Sequence, residues 1–211
     1  MKRPALIIAS LLLLVLICWA FPLFHIVPLE RVEKEKAAAA FNAARFAQKF
    51  WDDQLMKSLD RATQADVLLA AIQSDASSAR KQFSRSVGVS DSYTYFVSGG
   101  GRVTAMTEDE ISLAVTPGAT KTEIVLQTGL LFGNAVRDGT GLLNVNDYPN
   151  SQDFNDIAAE LNKLVETQVL PGLRERAKIG DTIRFAGCIE VNDESTDLKP
   201  LKLVPVRADI Q

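Results

Sequence analysis

Apolar positions fill the start of the chain without interruption and then settle into two spacings. From Ala5 to Val27 there are 23 residues without a formal charge, preceded by Lys2 and Arg3. As a helix that run is roughly 35 Å long, enough to cross a hydrocarbon core of about 30 Å. Two readings fit it. One is an uncleaved anchor over residues 1–27 with Lys2 and Arg3 in the cytoplasm; the other is a secretory signal cut after Cys18-Trp19-Ala20. Phe21-Pro22 behind that cut, and the apolar run continuing to Val27, favour the anchor. Over residues 30–87 the spacing is helical. Phe41, Arg45/Phe46, Phe50/Trp51 and Leu55 recur at intervals of three to five residues, a stripe that belongs to a core. Thr63-Gln64-Ala65-Asp66 opens a second helix through Ile72, and Asp75 or Ser77 caps a third to about Arg85.

After Gly88 the period shortens to that of strands. Tyr93–Val97 is short and aromatic, and Gly99-Gly100-Gly101 is expected to break the chain behind it. Residues 102–106, 111–115 and 122–128 then read as strands. Thr107–Glu110 forms a hairpin turn between the first two, and Thr116-Pro117-Gly118 separates the second from the third. Residues 129–150 are irregular. A long helix comes next over 152–176, capped by Asn150 or Ser151 and kinked or divided by Pro171 near Gln168. Residues 182–191 and 201–206 are the last two strands. The expected fold class is therefore α+β: an N-terminal transmembrane helix (1–28), a helical segment (29–88), and an OB-like five-stranded β-barrel (89–211) with one long helix between strands 3 and 4. An antiparallel sandwich with the helix on one face predicts the same order.

Composition narrows the chemistry. Lysine and arginine number 23 against 26 Asp and Glu, for a net charge of −3, so no basic face for nucleic acid is expected. The one histidine, His25, and one of two cysteines, Cys18, fall in the opening apolar run. Ser-His-Asp and Cys-His catalysis and His- or Cys-ligated zinc have no residues to work with beyond it. No cofactor and no metal is expected, and the reading is non-enzymatic. Cys188 lies in a strand pattern and reads as a buried apolar residue, while Arg174, Arg176 and Lys178 offset the dipole of the long helix.

The candidate site is the segment Gly133–Phe154. Asn134, Arg137, Asp138, Asn144, Asn146, Asp147, Tyr148 and Asn150 bring amides, carboxylates, a guanidinium and an aromatic ring into a short stretch, a surface suited to sugar hydroxyls or another small polar ligand. The competing reading gives the Asn, Asp and Gly residues to turns and helix capping, with Arg137 paired to Asp138, Asp147 or Asp153. Calcium has its oxygen donors here but not the EF-hand spacing, and Gly139-Thr140-Gly141 lacks the pattern of a phosphate loop.

At Gly133–Gly141, Asn144–Asn150, Gly180–Gly187 and Leu203-Val204-Pro205-Val206 the sequence resembles a bacterial family catalogued as domain of unknown function 2291, predicted periplasmic lipoproteins. The resemblance implies a membrane-tethered cell-envelope protein with an OB-like domain, encoded beside sugar ABC transporters, and implies no catalytic residues. The chain departs from a lipoprotein at Ile17-Cys18, where lipid attachment needs a small residue before the cysteine, so a transmembrane helix is expected instead. Together these readings give a single-pass inner-membrane protein with its soluble domain in the periplasm. Its expected role is that of an accessory or binding module, with transporter components or a small polar ligand as partner. A carboxylate-dependent hydrolase acting on envelope carbohydrate, and a docking protein presenting helices 37–85, are the alternatives.

Overall fold

The helical stripe that begins at Phe41 changes its winding twice. In the computed structural model, which describes residues 41–87, 91–148 and 150–211, α1 spans Ala43–Phe50. The chain then continues through a π-helical turn, Trp51–Leu55, and a 3₁₀ stretch, Met56–Arg61. Through these changes of winding Phe50, Trp51 and Leu55 all stay buried. The expected anchor lies outside the described residues. No helix among the described residues is long and apolar enough to cross a membrane.

Thr63-Gln64 does not open the second helix, as its sequence suggests, but forms a two-residue strand, β1, paired in parallel with Val97 and Ser98. Helix α2 comes directly after it at Ala65–Ser74. Helix α3, Ala76–Phe83, starts where the Asp75 carboxylate accepts the Ser77 and Ser78 backbone N–H groups. Arg85 then exchanges backbone hydrogen bonds with Thr94.

The glycine run corrects the sequence reading most plainly. Residues Tyr93–Met106 form one continuous strand, β2, with Gly99–Gly101 inside it. Along Tyr93–Arg102 it pairs with β5 (Thr182–Val191), and from Arg102 onward with β3 (Glu110–Ala114). A side chain at Gly101 would stand 3.0 Å from Leu113 Cβ and 3.1 Å from the Ala114 carbonyl oxygen. The glycine therefore marks a close approach within the sheet rather than an interruption. The sheet is completed by β4 (Ile124–Gln127) and β6 (Leu201–Ile210), the latter four residues longer than its pattern suggests.

The strand order is β1-β2-β3-β4-β6-β5, with β2 also paired to β5. The sheet thus has six strands rather than the expected five, because β1 adds to β2. Within it β4–β6 is parallel and β5–β6 antiparallel. Between β4 and β5 lie a short buried helix α4 (Ala135–Gly139), then α5 (Ser151–Leu164), a π turn (Val165–Val169) and α6 (Leu170–Arg176). The expected long helix is thus divided ahead of Pro171, which sits in the first turn of α6 where its missing N–H costs nothing. Asn150 caps α5 by accepting the Asp153 N–H. Helix α7, Glu194–Asp197, closes the turn before β6. Ile157, Leu161, Val165, Leu170 and Leu173 bury one face of this helical run in the core formed with the strands.

Candidate functional site

The segment singled out by its polar composition separates into an inner and an outer half. Residues 129–134 are tied down by side chains from elsewhere. Arg174 donates to the Thr128 and Gly129 carbonyls, Glu166 accepts the Leu131 N–H at 2.8 Å, Asn162 donates to the Gly133 carbonyl, and Glu190 accepts the Asn134 N–H at 3.0 Å. Arg174 is thus a tether between α6 and the end of β4, not only a helix-end charge. These bonds deliver the chain into α4 with Arg137 and Asp138 turned inward.

Arg137 and Asp138 are buried, at 5% and 8% exposure. The guanidinium grips the neighbouring carboxylate through two bonds, Nε to Oδ1 at 2.7 Å and a terminal nitrogen to Oδ2 at 2.9 Å. Its other terminal nitrogen donates to the Phe154 carbonyl and to Asn155 Oδ1, and its plane lies 3.8 Å from the Phe154 ring centroid. Four of its five N–H groups are bonded and the side chain is buried, so this arginine fastens α4 to α5 and is not offered to a ligand. Tyr148 packs at a tilt on Phe154 and edge-on against Phe46, which stacks in turn on Phe50. Burial, and then the nearby Asp138 charge, push the Cys188 thiol far above its ordinary pKa, leaving it an inert apolar side chain.

The polar residues of the outer half, Asn144, Asn146, Asp147 and Asn150, are exposed. Asn144 accepts the Asn146 N–H and so starts the 3₁₀ turn Val145–Asp147, while Asn150 is spent on the α5 cap. Of the eight residues marked in the sequence, Asn144 and Asn146 line a common cleft. Its volume is about 550 Å³, and its opposite wall comes from Ser84, Arg85, Ser86 and Val87 behind α3. Asn134, Arg137, Asp138, Asp147, Tyr148 and Asn150 do not line it. Gly141 makes the floor. Its φ is +63°, and a Cβ there would meet Arg85 Cδ at 2.6 Å, so only glycine lets the arginine lie across this turn.

The Arg85 guanidinium makes no ion pair and no hydrogen bond among the described residues, and the Asn146 amide, Ser84 hydroxyl and Ser86 hydroxyl are likewise uncommitted. A free cation, an amide and two hydroxyls beside apolar Leu143 and Val145 are the groups that a small polyhydroxylated or anionic molecule would need. The sequence reading missed Arg85. Its signal is faint, a basic residue between serines at a helix end.

Acid–base chemistry has less to build on. The carboxylates whose titration departs from ordinary values, Asp75, Glu123, Asp193 and Asp197, are all shifted down by hydrogen bonds they accept. A general acid requires the opposite shift. Among the described residues no three His, Cys, Asp or Glu side chains gather into a metal-binding group.

Comparison with known proteins agrees with the architecture. A family model described as predicted periplasmic lipoprotein, domain of unknown function 2291, matches residues 12–209. The crystal structure of an OB-fold protein from Thermotoga maritima superposes with a TM-score of 0.73 at 25% identity, over 82% of this chain and 99% of that one. No curated protein matches the chain.

Proposed function

The chain belongs to the family of predicted periplasmic lipoproteins with domain of unknown function 2291, and from that premise we propose that it is a membrane-associated periplasmic binding module whose Arg85 cleft takes a small polyhydroxylated ligand, neutral or acidic. The observation that carries the reading is the uncommitted Arg85 guanidinium, laid across Gly141 and facing Asn146. Arg85 is exposed and keeps its hydration, so its guanidinium is free to exchange water for the hydroxyl or carboxylate oxygens of a ligand without breaking an internal bond. Thermal denaturation of the full chain against a panel of neutral and acidic monosaccharides tests it. A binder stabilises the fold by RT ln(1+[L]/Kd) and so raises Tm as its concentration grows; a panel in which nothing shifts Tm rejects the reading.

Two finer parts belong to the same proposal. The uncharged run Ala5–Val27 acts as a single membrane-spanning anchor, with the domain from Asn42 onward in the periplasm. The module serves a sugar ABC transporter, as the gene neighbourhood implied by the family resemblance suggests. A reporter active only outside the cytoplasm, fused after Gln211, is expected to be active, and activity of a cytoplasm-only reporter there would overturn the orientation.

A further inference from the structure

A second cleft, distinct from the Arg85 site, lies where α2 meets the loops before β4 and before β6. Its volume is about 610 Å³, within the span of roughly 300–1,000 Å³ typical of small-molecule sites. Leu69 and Ile72 of α2 form one wall, and Pro117, Leu198 and Pro200 form the other. Four ionisable side chains, two acidic and two basic, ring these apolar surfaces, and they differ in how far they are bonded to the protein. Asp66, in the first turn of α2, accepts the Val67 N–H at 2.9 Å. Glu123 accepts three bonds, from the Val115 and Thr116 N–H groups at 2.8 Å each and the Thr116 hydroxyl at 2.7 Å. Lys121 and Lys199 form no ion pair and no hydrogen bond through their ammonium groups among the described residues. Both carboxylates keep their charge, but Glu123 is turned to the Val115 and Thr116 N–H groups, whereas the two ammonium groups hold no partner among the described residues.

We propose that this cleft binds an amphipathic anion, an apolar chain or ring system carrying one carboxylate or phosphate head, with the apolar part against Leu69, Ile72, Pro117 and Leu198 and the head between Lys121 and Lys199. Apolar walls reward removal of the ligand body from water, and the ammonium groups select the sign of its head. The probe is 4-benzoylbenzoate, an aromatic carboxylate that cross-links on irradiation, used on the full chain in detergent with cross-links mapped by peptide mass spectrometry. Labelling concentrated in residues 66–73, 116–123 and 198–200 is expected. It should fall at least tenfold both with neutral 4-methylbenzophenone and in the double variant Lys121→Glu, Lys199→Glu. Both lysines are exposed, so the variant should keep the parent Tm, and that is measured alongside. Labelling scattered over the chain, or equal labelling by the neutral probe, or labelling that survives charge reversal in a folded variant, overturns the proposal.

Discussion

At Arg137 one residue decides between two accounts of a whole segment. Sequence composition makes it the natural anchor for a ligand; burial and the two-point grip on Asp138 make it a fastening between α4 and α5. Replacing it by alanine strands a buried carboxylate and should destabilise the domain by about 3–5 kcal/mol, read by urea denaturation. An Arg137→Ala protein as stable as the parent would mean the pair is open to water. Glu123 makes a second prediction through pH. Burial raises its pKa, but the bonds from Thr116 and Val115 outweigh that and hold it below the ordinary carboxylate range. Because the folded value is depressed, its contribution is present above the unfolded pKa of about 4.3 and is lost as pH falls through the folded value. Stability should therefore decline with acid below about pH 4, and Glu123→Gln should flatten that decline while lowering stability at neutral pH. An unchanged acid profile in the variant would contradict the assignment. The pairing of Arg137 with one of three nearby aspartates was legible in the sequence, since no other basic residue lies between Lys121 and Lys163. Arg85 was not legible as a site residue, because its cleft joins residues 84–87 to residues 141–146 across more than fifty positions.

Among the elements, those with strong local signals were readable and those shaped by neighbours were not. Asp75 and Asn150 are the residue types that cap helices, each stands directly ahead of a helical pattern, and they cap α3 and α5. The division of the helical run ahead of Pro171 comes from the ring's missing N–H. Gly99–Gly101 misleads for the opposite reason. A glycine run ordinarily breaks a strand, yet here the missing side chain at Gly101 is what lets β2 pass Leu113 and Ala114. The requirement lives in the partner strand, where no local pattern records it. Gly101→Val should push into β3 and cost about 1–3 kcal/mol, measured by thermal unfolding. A variant with the parent Tm would show that the two strands have slack between them. Thr63-Gln64 likewise reads as a helix start and becomes a strand only because Val97 and Ser98 offer an edge.

As a whole molecule, the described domain is a mixed α+β unit, Asn42–Gln211, that superposes on an OB-fold neighbour with a TM-score of 0.73. Order of elements carried that much from sequence, since strand, strand, strand, helix, strand, strand admits few arrangements. What the molecule does with the fold depends on surfaces assembled from distant segments, and the Arg85 cleft is the one that draws on residues the sequence marked, Asn144 and Asn146. The most direct test is titration calorimetry of the full chain with whichever monosaccharide gives the largest thermal shift, on the parent and on Arg85→Ala. The account predicts saturable one-site binding in the parent and at least a tenfold weaker Kd in the variant, or about 1.4 kcal/mol, with Tm unchanged because Arg85 is exposed and unpaired. Equal affinity in a folded Arg85→Ala protein would contradict it.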